Sequence, residues 1–179
     1  MFRKAVLLAL LAFVSVAAVA VANHIPGQPF NDCADHDAWP TIRGKVEKAP
    51  ESGGTLTGTE RSDQLMGHHG SDIIKAGAKS DVLWGDWDGV GQPTSQRDRI
   101  YGNGGNDFIY GSHGRNVIFG GKGNDAISVH YGRGYVDCGP GRDIYHVAKT
   151  RKKGYKFKNC EKVDYRSERQ RGGGLKPLP

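Results

Sequence analysis

Large apolar residues recur every nine positions through the middle of the chain. Written in nine-residue units from Gly58, the chain places such a residue at the eighth position of every unit: Leu65, Ile74, Leu83, Ile100, Ile109, Ile118, Ile127, Val136 and Tyr145. In a short extended segment the middle side chain points to one face and its neighbours to the other. The period therefore predicts a three-residue strand in each unit, with the eighth residue in a shared core.

The six residues that precede each predicted strand are polar and rich in glycine. Their last member is aspartate in seven units of nine, and the full series is Asp63, Asp72, Asp81, Asp98, Asp107, Asn116, Asp125, Gly134 and Asp143. The 27 glycines among 179 residues disfavour a helical bundle, because each interior glycine costs a helix nearly ~1 kcal/mol. One unit cannot bury its apolar residue alone, so the units must stack into an all-β solenoid.

The units Gly120–Ser128 and Gly102–Tyr110 resemble G-G-x-G-x-D-x-U-x, the calcium-binding nonapeptide repeat of the RTX (repeat-in-toxin, hemolysin-type) family. The resemblance covers residues 56–147. It implies a short right-handed parallel β-roll with small flanking caps, in which two units form one coil. It also implies Ca²⁺ between turns stacked on the same side, held by backbone carbonyls and aspartate carboxylates.

Same-side turns should lie 18 residues apart, as Asp107, Asp125 and Asp143 do. On the other side the aspartates fade, and an eight-residue insertion between Gly85 and Arg97 interrupts the period. By the resemblance, the best calcium ligands are Asp107, Asp125, Asp143, Gly102, Asn103, Gly105, Gly120, Gly121, Gly123, Gly139 and Gly141, and the weaker candidates are Asp72, Asp98, Asn116, Asp63 and Asp81.

Two of these candidates are doubtful, because Arg61 and Lys79 replace the fourth-position glycine in the turns of Asp63 and Asp81. A side chain strains such a turn, and a cation nearby opposes Ca²⁺. The alternative is that the aspartates only form turns, as Asp and Gly commonly do.

The first residues have the pattern of a secretory signal peptide. Arg3 and Lys4 precede an apolar run that ends at Ala22, after which we expect cleavage, although an uncleaved anchor is the alternative. Export predicts a secreted, extracellular protein in which Cys138 and Cys160 form a disulfide; Cys33 is left free, pairs between molecules or competes. We expect an N-terminal cap at 23–55, a C-terminal cap at 148–165 and a flexible tail at 166–179.

No nucleophile or zinc-protease motif is present, so we do not expect an enzyme. The formal net charge of +6 does not by itself imply a nucleic-acid partner. The function that we expect is non-enzymatic calcium binding coupled to folding. The alternative is an extracellular module, with purely structural calcium, that binds a cell-surface polysaccharide or a protein. Its possible ligand face is the outward aromatic group Trp84, Phe108 and Tyr110, unless a flanking segment covers it; lysines between Lys149 and Lys162 are a second place for an acidic ligand.

Overall fold

A computed structural model describes residues 38–166 of the chain. The predicted signal peptide, Cys33 and the tail beyond Arg166 lie outside the described residues. The strands within 38–166 are β1 (Val46–Lys48), β2 (Thr55–Thr57), β3 (Gln64–Met66), β4 (Ile73–Ala78), β5 (Val82–Trp84), β6 (Arg97–Gly104), β7 (Phe108–Tyr110), β8 (Arg115–Phe119), β9 (Ala126–Ser128), β10 (Arg133–Asp137), β11 (Ile144–His146), β12 (Tyr155–Lys158) and β13 (Lys162–Asp164). A 3₁₀ turn, Lys152–Gly154, precedes β12.

Successive strands join two different parallel sheets. One sheet has seven strands in the order β1-β3-β5-β7-β9-β11-β13, and the other has six in the order β12-β10-β8-β6-β4-β2. The chain therefore winds as an all-β parallel solenoid of about seven turns, which confirms the predicted fold class. Strands of the same two sheets also occupy part of the flanking segments: β1 precedes residue 56, and β12 and β13 pair in parallel with β10 and β11.

The core is a narrow column of the eighth-position residues, as the period predicts. From Leu65 to Val136 these side chains are fully buried, and Tyr145 is 7% exposed. Equivalent residues stack in register from coil to coil, for example Ile100 on Ile118 and Ile109 on Ile127. Complete burial of such a side chain contributes ~1.5–3 kcal/mol, so the repeated residue is the main apolar stabilisation of the solenoid.

The aromatic face that the sequence offered as a possible ligand surface is covered by a flanking segment, which is the alternative that the sequence left open. Phe108 and Tyr110 are buried and Trp84 is half-buried, because Trp39 packs against this outer face of the seven-stranded sheet. The indole Nε1 of Trp39 donates a hydrogen bond of 3.1 Å to the Tyr110 hydroxyl, and Trp84 and Tyr110 stack with ring centroids 3.9 Å apart. A large apolar patch left in water would be unfavourable, and the segment before β1 removes it.

A disulfide joins Cys138 and Cys160, as predicted, with an S–S distance of 1.99 Å. It connects the turn that leads into β11 with the turn that leads into β13. Two consecutive coils at the C-terminal end of the solenoid are thereby linked covalently.

Candidate calcium sites

The turns form two stacks, one along each edge of the solenoid. The first turn stack leads into the seven-stranded sheet, and its sixth-position residues are Asp63, Asp81, Asp107, Asp125, Asp143 and Glu161. The second turn stack leads into the six-stranded sheet, and its sixth-position residues are Asp72, Asp98, Asn116 and Gly134. All the aspartates in both series are buried.

One carboxylate oxygen of each first-stack residue bonds to the backbone of the preceding coil. The amide nitrogens of Asp63, Asp81, Asp107 and Asp125 donate to Oδ1 of the next aspartate in the stack, at 2.6–2.9 Å. The amide of Asp143 donates to Oε2 of Glu161 at 2.7 Å. Glu161 therefore ends the series. The place of Glu161 in the stack was not predicted from the sequence, although this residue lies 18 residues after Asp143.

The second carboxylate oxygen has no protein partner in four of these residues. Oδ2 of Asp81, Asp107, Asp125 and Asp143 is buried and accepts no hydrogen bond within the described residues. Asp63 differs, since its Oδ2 accepts hydrogen bonds from the amide of Thr59 at 2.6 Å and from the Thr59 hydroxyl at 3.0 Å. A buried charged oxygen without a partner is strongly unfavourable. These four positions therefore require either a proton or a cation.

Burial raises the pKa of each of the four carboxyl groups. The pKa of Asp107 rises to about 9, first because of burial and then because of the charge of Asp125. Burial likewise raises the pKa of Asp81 and Asp125 to about 7 and that of Asp143 to about 6. Without a counter-ion, then, the first turn stack favours protonated carboxyl groups near neutral pH.

Backbone oxygens line the space in front of these carboxylates. A Cβ built on Gly102 would lie 2.1 Å from the carbonyl oxygen of Gly120 and 2.4 Å from Oδ2 of Asp107. One coil later, a Cβ on Gly120 would lie 2.3 Å from the carbonyl oxygen of Cys138 and 2.4 Å from Oδ2 of Asp125. Only glycine leaves this oxygen-lined space open. Carboxylate and carbonyl oxygens are the ligands that Ca²⁺ prefers, so the residues fit this ion.

The remaining candidate residues of the first stack shape its turns. Gly121, Gly139, Gly105 and Gly123 have left-handed φ angles, as does Asn103 at 66°. Gly141 packs where a Cβ would lie 1.7 Å from the carbonyl oxygen of Gly123. Lys79 adopts φ 72° in place of the usual glycine, and its carbonyl oxygen still faces Gly105 in the next turn. The lysine thus follows the same turn at a cost in backbone strain.

Side chains alone do not form a metal centre here. Within residues 38–166, no three His, Cys, Asp or Glu side chains converge in a group that could hold a metal ion. A calcium site in this part of the chain would therefore need ligands other than side chains of these four types, and the carbonyl oxygens beside Gly102 and Gly120 are available.

The second turn stack satisfies its carboxylates with protein groups. Oδ2 of Asp72 accepts a hydrogen bond of 3.0 Å from the amide of His68, and Oδ2 of Asp98 accepts one from the Ser112 hydroxyl. Asn116 donates from Nδ2 to the Tyr155 hydroxyl at 2.9 Å. Burial still raises the pKa of Asp98 to about 7. The oxygens are nevertheless paired without an ion.

The insertion after Gly85 packs along the second stack. Asp86 Oδ2 lies 3.0 Å from Nδ1 of His69, and the Gln92 side chain contacts the ring of His113. Nε2 of Gln92 also donates a hydrogen bond of 2.8 Å to the carbonyl oxygen of Asp88, within the loop itself. The loop therefore links turns on either side of the coil that it interrupts.

Comparison with known families agrees with this geometry. A profile of the RTX calcium-binding nonapeptide repeat matches four copies over residues 67–88 and 94–127. Over these two ranges the chain is thus similar to RTX calcium-binding repeats. No match was found among curated proteins or among solved structures. None of the helical structure within residues 38–166 is long and apolar enough to cross a membrane.

Proposed function

We propose that the chain is a secreted, non-enzymatic calcium-binding protein whose solenoid is folded or stabilised by Ca²⁺ held between turns of the first stack. The observation that carries the proposal is the row of buried Oδ2 atoms without protein partners on Asp81, Asp107, Asp125 and Asp143. The RTX repeats and the oxygen-lined space beside Gly102 and Gly120 support it. Ca²⁺ would stabilise the ionised carboxylates, which burial and the charge of neighbouring carboxylates otherwise disfavour.

The ligands would come from both members of each pair of stacked turns. Asp107, Asp125 and Asp143 would hold the ions together with carbonyl oxygens of the glycine-rich residues between 102 and 141. Asp81 is also a proposed ligand, because its Oδ2 is equally unpaired. Asp63 is not, because the amide of Thr59 already donates a hydrogen bond to its Oδ2. Asp72, Asp98 and Asn116 are assigned to protein hydrogen bonds and not to calcium.

If the chain meets Ca²⁺ only after export, metal binding and folding take place together outside the cell. Extracellular calcium modules bind at roughly 10⁻⁴–10⁻³ M, far above the calcium concentration that the cytosolic buffers and sensors respond to. Inside the cell the first-stack carboxylates would remain without a cation and the solenoid would be poorly stable. Outside, metal binding would add its free energy to folding. The signal-peptide pattern of residues 1–22 supports this route.

The test is far-UV circular dichroism of residues 23–179 during a calcium titration, with magnesium as the control. We expect a cooperative gain of β signal, or a rise in Tm, with calcium alone, because Mg²⁺ demands a tighter octahedral shell. Full β-structure in a chelator, with a Tm that calcium does not change, would contradict the proposal.

A further inference from the structure

The outer face of the six-stranded sheet is basic, unlike the covered apolar face of the other sheet. Side chains alternate along β6, β8 and β10, so that Arg97, Arg99, Arg115 and Arg133 are exposed while their neighbours are buried or half-buried. Within the described strands, the charged residues of this face are basic except for Asp137: Lys75, Arg97, Arg99, Arg115, Arg133, Lys156 and Lys158. The one acid is already paired, since Lys158 Nζ lies 3.3 Å from Asp137 Oδ2.

Three of these arginines form a ladder across adjacent strands. Arg97 is in register with Arg115, and Arg115 is in register with Arg133. Neighbouring strands lie about 4.8 Å apart, and like charges directly beside each other are destabilising. No ion pair within residues 38–166 involves any of the three. The solenoid therefore maintains an unneutralised row of positive charge, which an external row of anions would stabilise.

A cleft continues the ladder past its end. It has a volume of about 310 Å³ and is lined by Arg133, Arg151 and His113, together with Thr94, Thr150 and the backbone of Gly132 and Gly154. The ladder and the cleft lie beside the second turn stack, at the opposite edge of the solenoid from the unpaired carboxylates. An anionic chain that follows the ladder would thus enter a pocket with one further cationic side chain, Arg151, and three polar ones, away from the proposed calcium sites.

The aromatic residues of the same face indicate which kind of polyanion fits. Tyr101 and Phe119 stack on each other with ring centroids 5.3 Å apart and planes 6° apart, and Phe119 meets Tyr135 edge to face at 6.0 Å. Rings that stack along the sheet offer edges to a ligand and do not provide a platform for unpaired bases, which single-stranded nucleic acids require.

We propose that this face binds a linear acidic polysaccharide, whose negative groups lie along Arg97, Arg115 and Arg133 and continue into the cleft at Arg151. The binding is electrostatic and regular: the anions of an extended sugar chain meet a repeating row of guanidinium groups, which form charge-assisted hydrogen bonds with carboxylate or sulfate. The site is separate from the calcium-binding edge, and its function does not require the ligand to contact the metal.

The test measures binding of the secreted chain to immobilised chondroitin sulfate by surface plasmon resonance at fixed calcium. The ladder variant is Arg97→Ser/Arg115→Ser/Arg133→Ser. The matched control is Arg43→Ser/Arg61→Ser/Lys162→Ser, which removes the same charge from exposed positions elsewhere. We expect the ladder variant to bind at least about tenfold more weakly than the control, a difference of ~1.4 kcal/mol. Binding of the wild type should weaken with salt, and uncharged dextran should not bind.

Thermal unfolding gives a second readout that also shows whether the variant folds. At low salt and without ligand, the ladder variant should have a higher Tm than the wild type, because the repulsion between its arginines is gone. Chondroitin sulfate should raise the Tm of the wild type and leave that of the ladder variant unchanged.

Several results would overturn the proposal. Equal losses in the ladder and control variants would show that only net charge matters. Tighter binding to single-stranded DNA or to phosphatidylserine vesicles would assign the face to another class of partner. A wild-type Tm that chondroitin sulfate does not raise would show that the folded protein has no such site.

Discussion

The two turn stacks of this solenoid follow the same nine-residue period but differ in how the protein pairs their buried carboxylates. In the first stack, Asp107 and Asp125 each bond one oxygen to the preceding coil and leave the other without a protein partner. In the second stack, Ser112 pairs the corresponding oxygen of Asp98, and Asn116 replaces the next aspartate. The difference teaches that aspartates at the same position of the repeat differ in whether the protein pairs their second oxygen. Under the proposed function, that oxygen separates a candidate calcium ligand from a structural turn residue.

The insertion and the C-terminal strands explain why the second stack can do without an ion. The loop after Gly85 contacts turns on both sides of it, and Tyr155 on β12 reaches Asn116 from a later coil. Additional polypeptide thus supplies hydrogen bonds in the second stack where, under the proposed function, the first stack would use Ca²⁺. The first stack has received no such insertion and keeps glycine at Gly102 and Gly120.

Acid should replace calcium in the first stack, and this is the largest effect that we expect. In calcium-stripped buffer Tm should rise as the pH falls from about 9 to 5, across the raised pKa values of Asp107 (about 9), Asp81 and Asp125 (about 7) and Asp143 (about 6). In the unfolded chain these groups ionise near pH 3.8, the ordinary value. Between that pH and the folded values the native state binds more protons, so its stability is lost as the pH rises.

Saturating calcium should reverse this dependence, because protons then compete with the metal for the same oxygens. Thermal melts followed by circular dichroism, with and without calcium at each pH, measure both slopes. A Tm in stripped buffer that stays constant or increases with pH would contradict the assignment of the four unpaired carboxyl groups.

A pair of isosteric substitutions separates the two stacks. Asp125→Asn should reduce the calcium-induced gain in unfolding free energy by about 2.7 kcal/mol for each site filled at 100 times its Kd. Asp98→Asn, the matched control in the second stack, should retain the whole gain, because asparagine can still accept from the amide of Asp72 and donate to Ser112. In stripped buffer neither change should lower Tm, since each removes a buried charge.

The measurement is the calcium-induced shift in the midpoint of chemical or thermal unfolding. A loss of calcium response in Asp98→Asn as large as in Asp125→Asn would mean that both stacks bind the metal, and the contrast between them would fail.

The structural elements that depend on local spacing could be predicted from the sequence alone. The recurrence of a large apolar residue every nine positions, for example Ile109 and Ile118, predicted both the strands and the core. With this period, only one face of each short strand carries the repeated apolar residue, and that face is buried. The Cys138–Cys160 disulfide was predicted from the signal-peptide pattern and from the position of the two cysteines. Glu161 carried the same 18-residue signal as the aspartates, but its turn lacks the glycines that identify a repeat.

The contacts that decide which oxygens are paired were beyond a single sequence. Tyr155 lies 39 residues from Asn116, and Trp39 lies 71 residues from Tyr110. Neither sequence separation is a multiple of the nine-residue period. Such partners come from flanking segments without periodicity, so the covered aromatic face and the paired polar groups of the second stack became visible only in three dimensions.

The smallest effect should come from Tyr155→Phe, which tests whether the second stack depends on protein hydrogen bonds. The hydroxyl of Tyr155 accepts from Asn116 Nδ2 at 2.9 Å and donates to the carbonyl oxygen of Tyr131 at 2.7 Å. Its removal leaves buried polar groups unpaired and should cost about 1–3 kcal/mol. Because no metal takes part, the loss should be the same in calcium and in stripped buffer, unlike that of Asp125→Asn. Tyr145→Phe, another buried tyrosine of the same core, controls for loss of a hydroxyl elsewhere. If the cost of Tyr155→Phe vanished in calcium, the metal would be compensating for the missing bonds, and the second stack would have to be counted among the calcium-binding turns.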